Sequence, residues 1–460
     1  MGVCSHNRCR ARAAVIARGA MAHVTVLGAG LVTGPLVRYL LESTPHTVTV
    51  AARQADKARA LIGSRARGSV AALDMNDPAA LDGLVRASDL MVSMLPYTQH
   101  VAVAERCLAH RKHMLTTSYV SPAMRALDGR AKEAGVVFLN ELGLDPGIDH
   151  MSAMRVIHGV RAAGGRVTTF RSYCGGLPAP DSNDNPFGYK FSWSPRGVVL
   201  AARNPARFLR DGDEVFIPGE RLFAQPEIVE FPGLGAFEGY PNRNSLDYIP
   251  SYGLEGVRTM FRGTLRNSGH CETWKAMGEL GLFDDTARSF AGGSYADVMA
   301  SLADDAHTSD VVAAVAKKLG IGVDSAPIRK LAWLGMFDRE ALASNPISPL
   351  DALVARMLEK LQYKPGERDM ILLRHEFVAE FAGGRSEKIE STLIDFGVPH
   401  GETAMSRTVG LPAAIGVARI LDGTIATPGI LQPVTPAIYE PILDELARLG
   451  VAFKETRSPA

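Results

Sequence analysis

An apolar pentapeptide that runs directly into Gly28-Ala29-Gly30 narrows the folds open to this chain more than any other feature. His23-Val24-Thr25-Val26-Leu27 reads as a buried strand, and Leu31 to Leu41 as the helix after it. Gly28 and Gly30 let the backbone turn tightly and approach a pyrophosphate, which the helix N-terminus then faces. Thr33 takes the third position, where Gly or Ala is usual. The second strand reads Thr47-Val48-Thr49-Val50-Ala51. Where NAD binds, an acid near the end of that strand takes the ribose 2′-hydroxyl. Here the tip is Ala51-Ala52-Arg53-Gln54, without an acid. A carboxylate would repel a 2′-phosphate, whereas a guanidinium binds one through paired N–H groups. The tip therefore points to NADP(H) rather than NAD(H).

The alternation continues. Strand-like runs recur at Ser69–Leu73, Leu90–Leu95, His113–Thr116 and Val136–Leu139, with helical stretches between them. Strands alternating with helices predict an α/β fold with a Rossmann-type, doubly wound parallel sheet. Its unit is expected to span 21–144 and to be completed by about 400–460.

A chain of 460 residues has room for two or three domains. The formal net charge of +1 argues against a nucleic-acid or membrane-surface partner. No apolar run reaches the length of a membrane span. Five scattered cysteines suggest neither a metal cluster nor a disulfide framework, so a reducing, cytoplasmic setting is expected. Residues 1–20 hold Arg8, Arg10, Arg12 and Arg18 and no acid. They read as an upstream start ahead of Met21, or as a mitochondrial-type presequence. Either way they lie outside the fold.

Beyond the sheet, Leu144-Asp145-Pro146-Gly147 reads as a helix start, with Asp145 as N-cap and Pro146 first in the helix. Ile148, Met151, Met154 and Ile157 then share a face. Ser172 to Gly197 shows no periodicity and is rich in Gly, Pro and aromatics, which reads as a long functional loop. Val215 to Arg266 reads as strands with turns. Cys271 to about Gln362 reads as a helical insertion containing an echo, Leu280-Gly281-Leu282-Phe283-Asp284 and Leu334-Gly335-Met336-Phe337-Asp338. Met370–Leu373 and Lys388–Ile394 flank Ala382-Gly383-Gly384-Arg385 as a hairpin. A helix from about Glu402 to Leu421 is expected to pack on the nucleotide-binding unit.

The residues that could carry chemistry each admit a plainer reading. Ser118-Tyr119 follow the fifth strand, at the carboxyl edge where ligands bind in such sheets, or they merely precede a helix cap. Cys174 reads as a small buried residue rather than a nucleophile. Arg262, Thr264 and Arg266 share one side of a strand. They form either a carboxylate clamp, with Arg243 from a Pro-Asn-Arg turn as a third cation, or a solvated edge strand.

In order along the chain stand Met94-Leu95-Pro96-Tyr97-Thr98, Thr117-Ser118-Tyr119-Val120-Ser121-Pro122 and Asn140-Glu141-Leu142-Gly143-Leu144-Asp145-Pro146-Gly147-Ile148-Asp149-His150. Ser172–Pro180, Gly188–Ser194, Tyr240–Arg243, Arg262–Arg266 and Glu367–Met370 follow. From about His23 to Lys454 the chain thus resembles the saccharopine reductases, the glutamate-forming saccharopine dehydrogenases of lysine metabolism. The resemblance implies a Rossmann domain, a mixed-sheet α+β substrate and dimerisation domain (145–270 and 363–399), and a small helical domain (271–362). It implies a homodimer. It implies that L-glutamate, L-2-aminoadipate 6-semialdehyde and NADPH give saccharopine, NADP⁺ and water.

Carried over by motif, Ser118, Tyr119, Asp145, Cys174, Arg243, Thr264, Leu265 and Arg266 would contact substrate. Asp145 and Tyr119 would be candidates for proton transfer, alongside water. Gly28, Ala29, Gly30, Leu31, Val32, Ala51, Ala52, Arg53, Leu73, Asp74, Met94 and Leu95 would hold NADP(H). Two rival readings remain open. A polyamine-forming relative on the same scaffold would want carboxylates where this chain has arginines, and an NADP(H)-sensing protein would bind without turnover.

Overall fold

The structure, a computed structural model, describes residues 21–460 apart from Ala291 and His307. The arginine-rich residues 1–20 lie outside the described residues. The chain forms two compact units. The first runs through Met151 and includes Thr408–Leu446; the second comprises Ser152–Arg407 and Ala447–Ala460.

In the first unit, β1 (His23–Leu27) is buried almost throughout, as a strand covered on both faces must be. It is joined by β2 (Thr47–Ala52), β3 (Gly68–Ala72), β4 (Leu90–Ser93), β5 (His113–Thr116) and β6 (Val137–Leu139). The order is β3-β2-β1-β4-β5-β6, with β15 (Gly429–Leu431) beyond β6, and every pair is parallel. Strand order reverses between β1 and β4. The carboxyl ends there open a crevice, the usual ligand position in a doubly wound sheet. The helix Gly34–Ser43 follows β1 and buries Leu36, Val37, Leu40 and Leu41. The helix Ala404–Leu421 approaches this segment at Gly410, where a Cβ would stand 3.0 Å from the Leu36 nitrogen and the Val32 oxygen.

The second unit holds a nine-stranded mixed sheet. Its strands are β7 (Arg166–Pro178), β8 (Ala206–Arg210), β9 (Asp213–Ile217), β10 (Glu227–Phe231), β11 (Gly235–Pro241), β12 (Thr259–Asn267), β13 (Asp369–Glu380), β14 (Ser386–Phe396) and β16 (Lys454–Pro459). The path runs β10-β11-β12-β7-β13-β14-β16, with β8 on β12 and β9 on β8; only β12 and β7 pair in parallel along that path. β13 and β14 form the hairpin around Ala382–Gly384.

Three expectations need correction. The run from Ser172 is not loop: through Pro178 it belongs to β7, in the middle of the sheet. Its glycines hid the strand because close packing requires them. A Cβ on Gly175 would lie 2.7 Å from the Leu265 oxygen, and one on Gly176 2.4 Å from the end of Met405. Of the stretch 400–460, Thr408–Leu446 lies in the first unit, with β15 in its sheet, but the chain end does not. β16 pairs with β14, where its backbone occupies an otherwise open edge. Finally, residues 145–151 belong to the first unit, since Glu141 and Leu142 hydrogen-bond to Ser118 and Thr116 and the turn after them follows.

Cys271 to Gln362 is helical and lies within the second unit. The sequence echo is a repeated helix stop. Gly281 and Gly335 end their helices at φ 90° and 89°, and Leu282 and Met336, both fully buried, donate to the Met277 and Leu331 carbonyls.

Candidate active site

In the first unit a cleft of about 370 Å³ lies over the ends of β1, β2, β3 and β4. Gly28, Ala29, Ala52, Arg53, Leu73, Asp74, Met94 and Leu95 are among the residues that line it. Gly28 is indispensable there. It sits at φ 106°, and a Cβ would meet the Met94 oxygen at 3.0 Å. Beside Gly30 nothing lies within 4 Å of where a Cβ would point, which leaves room for a ligand. Gly30, Leu31, Val32 and Ala51 do not line the cleft. Ala51 is fully buried and gives its carbonyl to the Gly28 N–H at 2.8 Å, while Leu31 faces solvent.

Lys57, Gln54, Asn76 and Gln99 line the cleft and were not anticipated. Lys57 was legible as a cation four residues after Arg53. Arg53 and Lys57 are both exposed, and neither has an ion-pair partner among the described residues. Two uncommitted cations, one just after β2 and one in the first turn of the helix Ala55–Ile62, fit a 2′-phosphate.

At the end of β5 stand Ser118 and Tyr119, both half-buried. The Tyr119 hydroxyl donates to Asp145 Oδ1 at 2.9 Å. Asp145 is not the helix N-cap. Asp145 and Pro146 form a turn, the helix begins at Ile148, and Asp149 Oδ1 accepts from the Gly147 N–H at 2.6 Å. Asp149 takes the local capping task, which leaves the Asp145 carboxylate to Tyr119. Glu141 fixes this segment twice. Its N–H donates to the Ser118 carbonyl at 3.1 Å, and its Oε1 accepts from the Val120 N–H at 2.9 Å. Buried Glu141 adopts φ 57° to do so. Burial pushes its carboxyl up, but His150, 2.9 Å away, and the Val120 amide outweigh that and hold it below the usual range.

Ser118 has a second anchor. Its Oγ lies 2.8 Å from His100 Nε2, and Thr116 Oγ1 lies 3.1 Å from the same nitrogen. His100 Nδ1 is 2.8 Å from Ser93 Oγ. Burial holds the His100 imidazole down at about 4, so it is neutral across the ordinary pH range.

In the second unit β12 lies between β11 and β7, which excludes the solvated-edge reading of its arginines. Arg262 is buried and stacks 4.6 Å from the centre of the Tyr248 ring. Arg266 is 7% exposed and stacks 5.0 Å from the Tyr189 ring centre. Its Nη1 donates to the Leu265 carbonyl at 2.8 Å, and its Nε has no hydrogen-bond partner. Glu238 is its cross-strand neighbour, but that carboxylate accepts from the Gly269 and Cys271 N–H groups, each at 2.7 Å, and caps the helix His270–Leu280. No carboxylate among the described residues pairs with Arg266. A guanidinium taken from water without a counter-charge is costly, and an anionic ligand offsets that cost.

Cys174 is buried and is in register with Thr264, so it shares this face. Leu265 points the other way, into a core with Tyr173 and Phe261, and can offer a ligand only its backbone. Arg243 is exposed on its turn, at φ 55°, and its carbonyl accepts from the Arg207 N–H. The aromatic loop contributes Phe187, Tyr189 and Phe191, all buried, and Tyr189 is the ring under Arg266. No helix among the described residues is long and apolar enough to cross a membrane.

Residues 24–139 match the saccharopine dehydrogenase NADP binding domain, and 143–451 match the saccharopine dehydrogenase C-terminal domain. The chain belongs to the saccharopine dehydrogenase family. It is 40% identical over 447 residues to saccharopine dehydrogenase [NADP(+), L-glutamate-forming] of Schizosaccharomyces pombe, covering 95% of this chain and 99% of that one. It is 36% identical to the mitochondrial alpha-aminoadipic semialdehyde synthase of Bos taurus, over 96% of this chain but 49% of that protein. The solved apo saccharopine dehydrogenase (L-Glu forming) from Saccharomyces cerevisiae superposes with a TM-score of 0.85 at 37% identity, covering 95% of this chain and 100% of that one. The strands whose ends carry the cleft lie within the residues that match the NADP binding domain.

Proposed function

We propose that this chain is an NADP-dependent, glutamate-forming saccharopine dehydrogenase of lysine metabolism. It interconverts L-2-aminoadipate 6-semialdehyde, L-glutamate and NADPH with saccharopine, NADP⁺ and water. The observation that carries this reading is the 40% identity over nearly the whole length of a relative of that name. The buried Arg266 without a carboxylate partner supports it independently, because saccharopine carries three carboxylates. The same feature disfavours a polyamine substrate.

In this reading the glutamate amine condenses with the aldehyde, water leaves, and the C–N double bond is reduced. Bound NADPH supplies the hydride. The chain's own residues bind and orient. The family resemblance supports substrate contacts for Ser118, Tyr119 and Asp145, and for Cys174, Arg243, Thr264, the Leu265 backbone and Arg266. The Tyr119–Asp145 hydrogen bond gives a proton a defined place, between a phenol and a carboxylate. The enzyme works as a homodimer, which the resemblance supports, and in the cytoplasm, which the scattered cysteines support.

Spectrophotometry at 340 nm tests the reading directly. Purified protein is expected to oxidise NADPH only when glutamate and the semialdehyde are both present, and to reduce NADP⁺ with saccharopine. Absence of turnover in both directions would overturn it.

Cys174 takes no covalent part, since hydride transfer requires no nucleophile. Cys174→Ser is expected to retain measurable turnover. A folded but inactive variant, together with a substrate adduct on the wild-type thiol by mass spectrometry, would contradict this.

A further inference from the structure

We propose that His100 is a positioning residue for the substrate: it donates from Nε2 to Ser118 Oγ and turns that hydroxyl's own proton outward, toward an anionic oxygen of the ligand. The inference rests on the function proposed above, in which Ser118 contacts a substrate rich in carboxylates.

The tautomer follows from the hydrogen-bond inventory. A neutral imidazole offers one N–H and one lone pair. Ser93, at the end of β4, is fully buried, and its hydroxyl's only hydrogen-bond partner among the described residues is His100 Nδ1 at 2.8 Å. Were Nδ1 the donor, the Ser93 proton would be buried without an acceptor, which costs more than an unused lone pair. With Nε2 as the donor it is the buried Thr116 hydroxyl that lacks an acceptor. With Nδ1 as the donor, however, the single Nε2 lone pair accepts only one of Ser118 and Thr116, so either both Ser93 and Thr116 are left unsatisfied or Ser118 Oγ stands 2.8 Å from a nitrogen with no proton between them. Ser93 therefore donates to Nδ1, and the imidazole proton sits on Nε2. That N–H faces Ser118 Oγ at 2.8 Å and Thr116 Oγ1 at 3.1 Å. Thr116 is the more distant and already accepts from the Ser118 N–H, so Ser118 takes the main share. With one lone pair occupied, the Ser118 hydroxyl is left to donate. His100 is its sole side-chain partner among the described residues, and Ser118 is half-buried at the carboxyl edge of the sheet. A hydroxyl fixed as a donor favours a carboxylate and disfavours an ammonium group. His100 itself is 4% exposed and opens the helix His100–His110, so it acts through Ser118 rather than by contact.

Steady-state kinetics with saccharopine and NADP⁺ test the inference, with NADP⁺ affinity measured by titration. His100→Leu is expected to lower kcat/KM for saccharopine by tenfold or more, with NADP⁺ affinity unchanged. His100→Gln, whose amide reaches the Nε2 position, is expected to recover most of the loss. His100→Asn, whose amide reaches only the Nδ1 position, is not. In a Ser118→Ala background, His100→Leu is expected to cost less than about twofold more, because the hydroxyl it positions is gone. Wild-type kinetics in the Leu variant, equal recovery by Asn and Gln, or full additivity with Ser118→Ala would each overturn the inference. Should the Leu variant fail to fold, the Asn and Gln pair decides alone. A wild-type enzyme that does not turn over saccharopine would overturn the proposed function and this inference together.

Discussion

Replacing Arg266 by alanine is expected to lower kcat/KM for saccharopine by at least thirtyfold while NADPH affinity stays unchanged. Arg266 is 7% exposed, its Nε has no hydrogen-bond partner, and no carboxylate among the described residues neutralises it. Its strand neighbour Glu238 is committed to the start of the helix His270–Leu280. An incoming carboxylate would complete a pair already desolvated on the protein side. Removing one partner of such a pair costs roughly 2–5 kcal/mol, and thirtyfold corresponds to about 2 kcal/mol. Arg266→Lys is expected to recover only part of the loss. It keeps the charge but lacks the planar fork that both stacks on Tyr189 and binds two oxygens. Thermal melts separate the lost stack from the lost binding. Unchanged saccharopine kinetics in a folded Arg266→Ala would show that the substrate's carboxylates are bound elsewhere.

Arg266 also marks where sequence reading runs out. The alternation of residues 262, 264 and 266 put the three side chains on one face, but it left a clamp and a wet edge equally open. Burial decided, and burial came from β7 and β11 on either side, at far sequence separation. Six of the seven strands of the first sheet were legible because each is a short run of mostly apolar residues, with the glycine turn and Arg53 at the tips; the three-residue β15 was not read. β7 was not, because Gly175 and Gly176 interrupt its pattern for the sake of Leu265 and Met405, which lie far away in sequence. Asp145-Pro146 carried a helix-start signature. The structure gives that task to Asp149 and leaves Asp145 to Tyr119, a difference no local rule encodes. His100 drew no notice in the sequence, since an isolated histidine gains meaning only when Ser93, Thr116 and Ser118 converge on its two nitrogens.

Cofactor choice rests on fewer residues, and its effect is of similar size. The wild-type protein is expected to prefer NADPH to NADH. Arg53→Asp is expected to raise KM for NADPH roughly ten- to hundredfold and to change KM for NADH little. A charge-assisted hydrogen bond to phosphate contributes about 1.5–3 kcal/mol. The substitution removes one and places a repelling carboxylate at the same point. The effect stays nearer the lower figure because Arg53 is exposed and Lys57, also uncommitted, remains at the cleft. Exposure has a second consequence. Attraction between exposed charges is screened over about 10 Å at 0.1 M salt. The wild-type KM for NADPH should therefore rise with ionic strength, and that of Arg53→Asp should rise less. NADH, which lacks the 2′-phosphate, should show little such dependence with either protein. Equal efficiency of the wild type with both cofactors would sink the assignment. A parallel rise in both KM values for Arg53→Asp would show instead that the substitution had disturbed the tip of β2 itself.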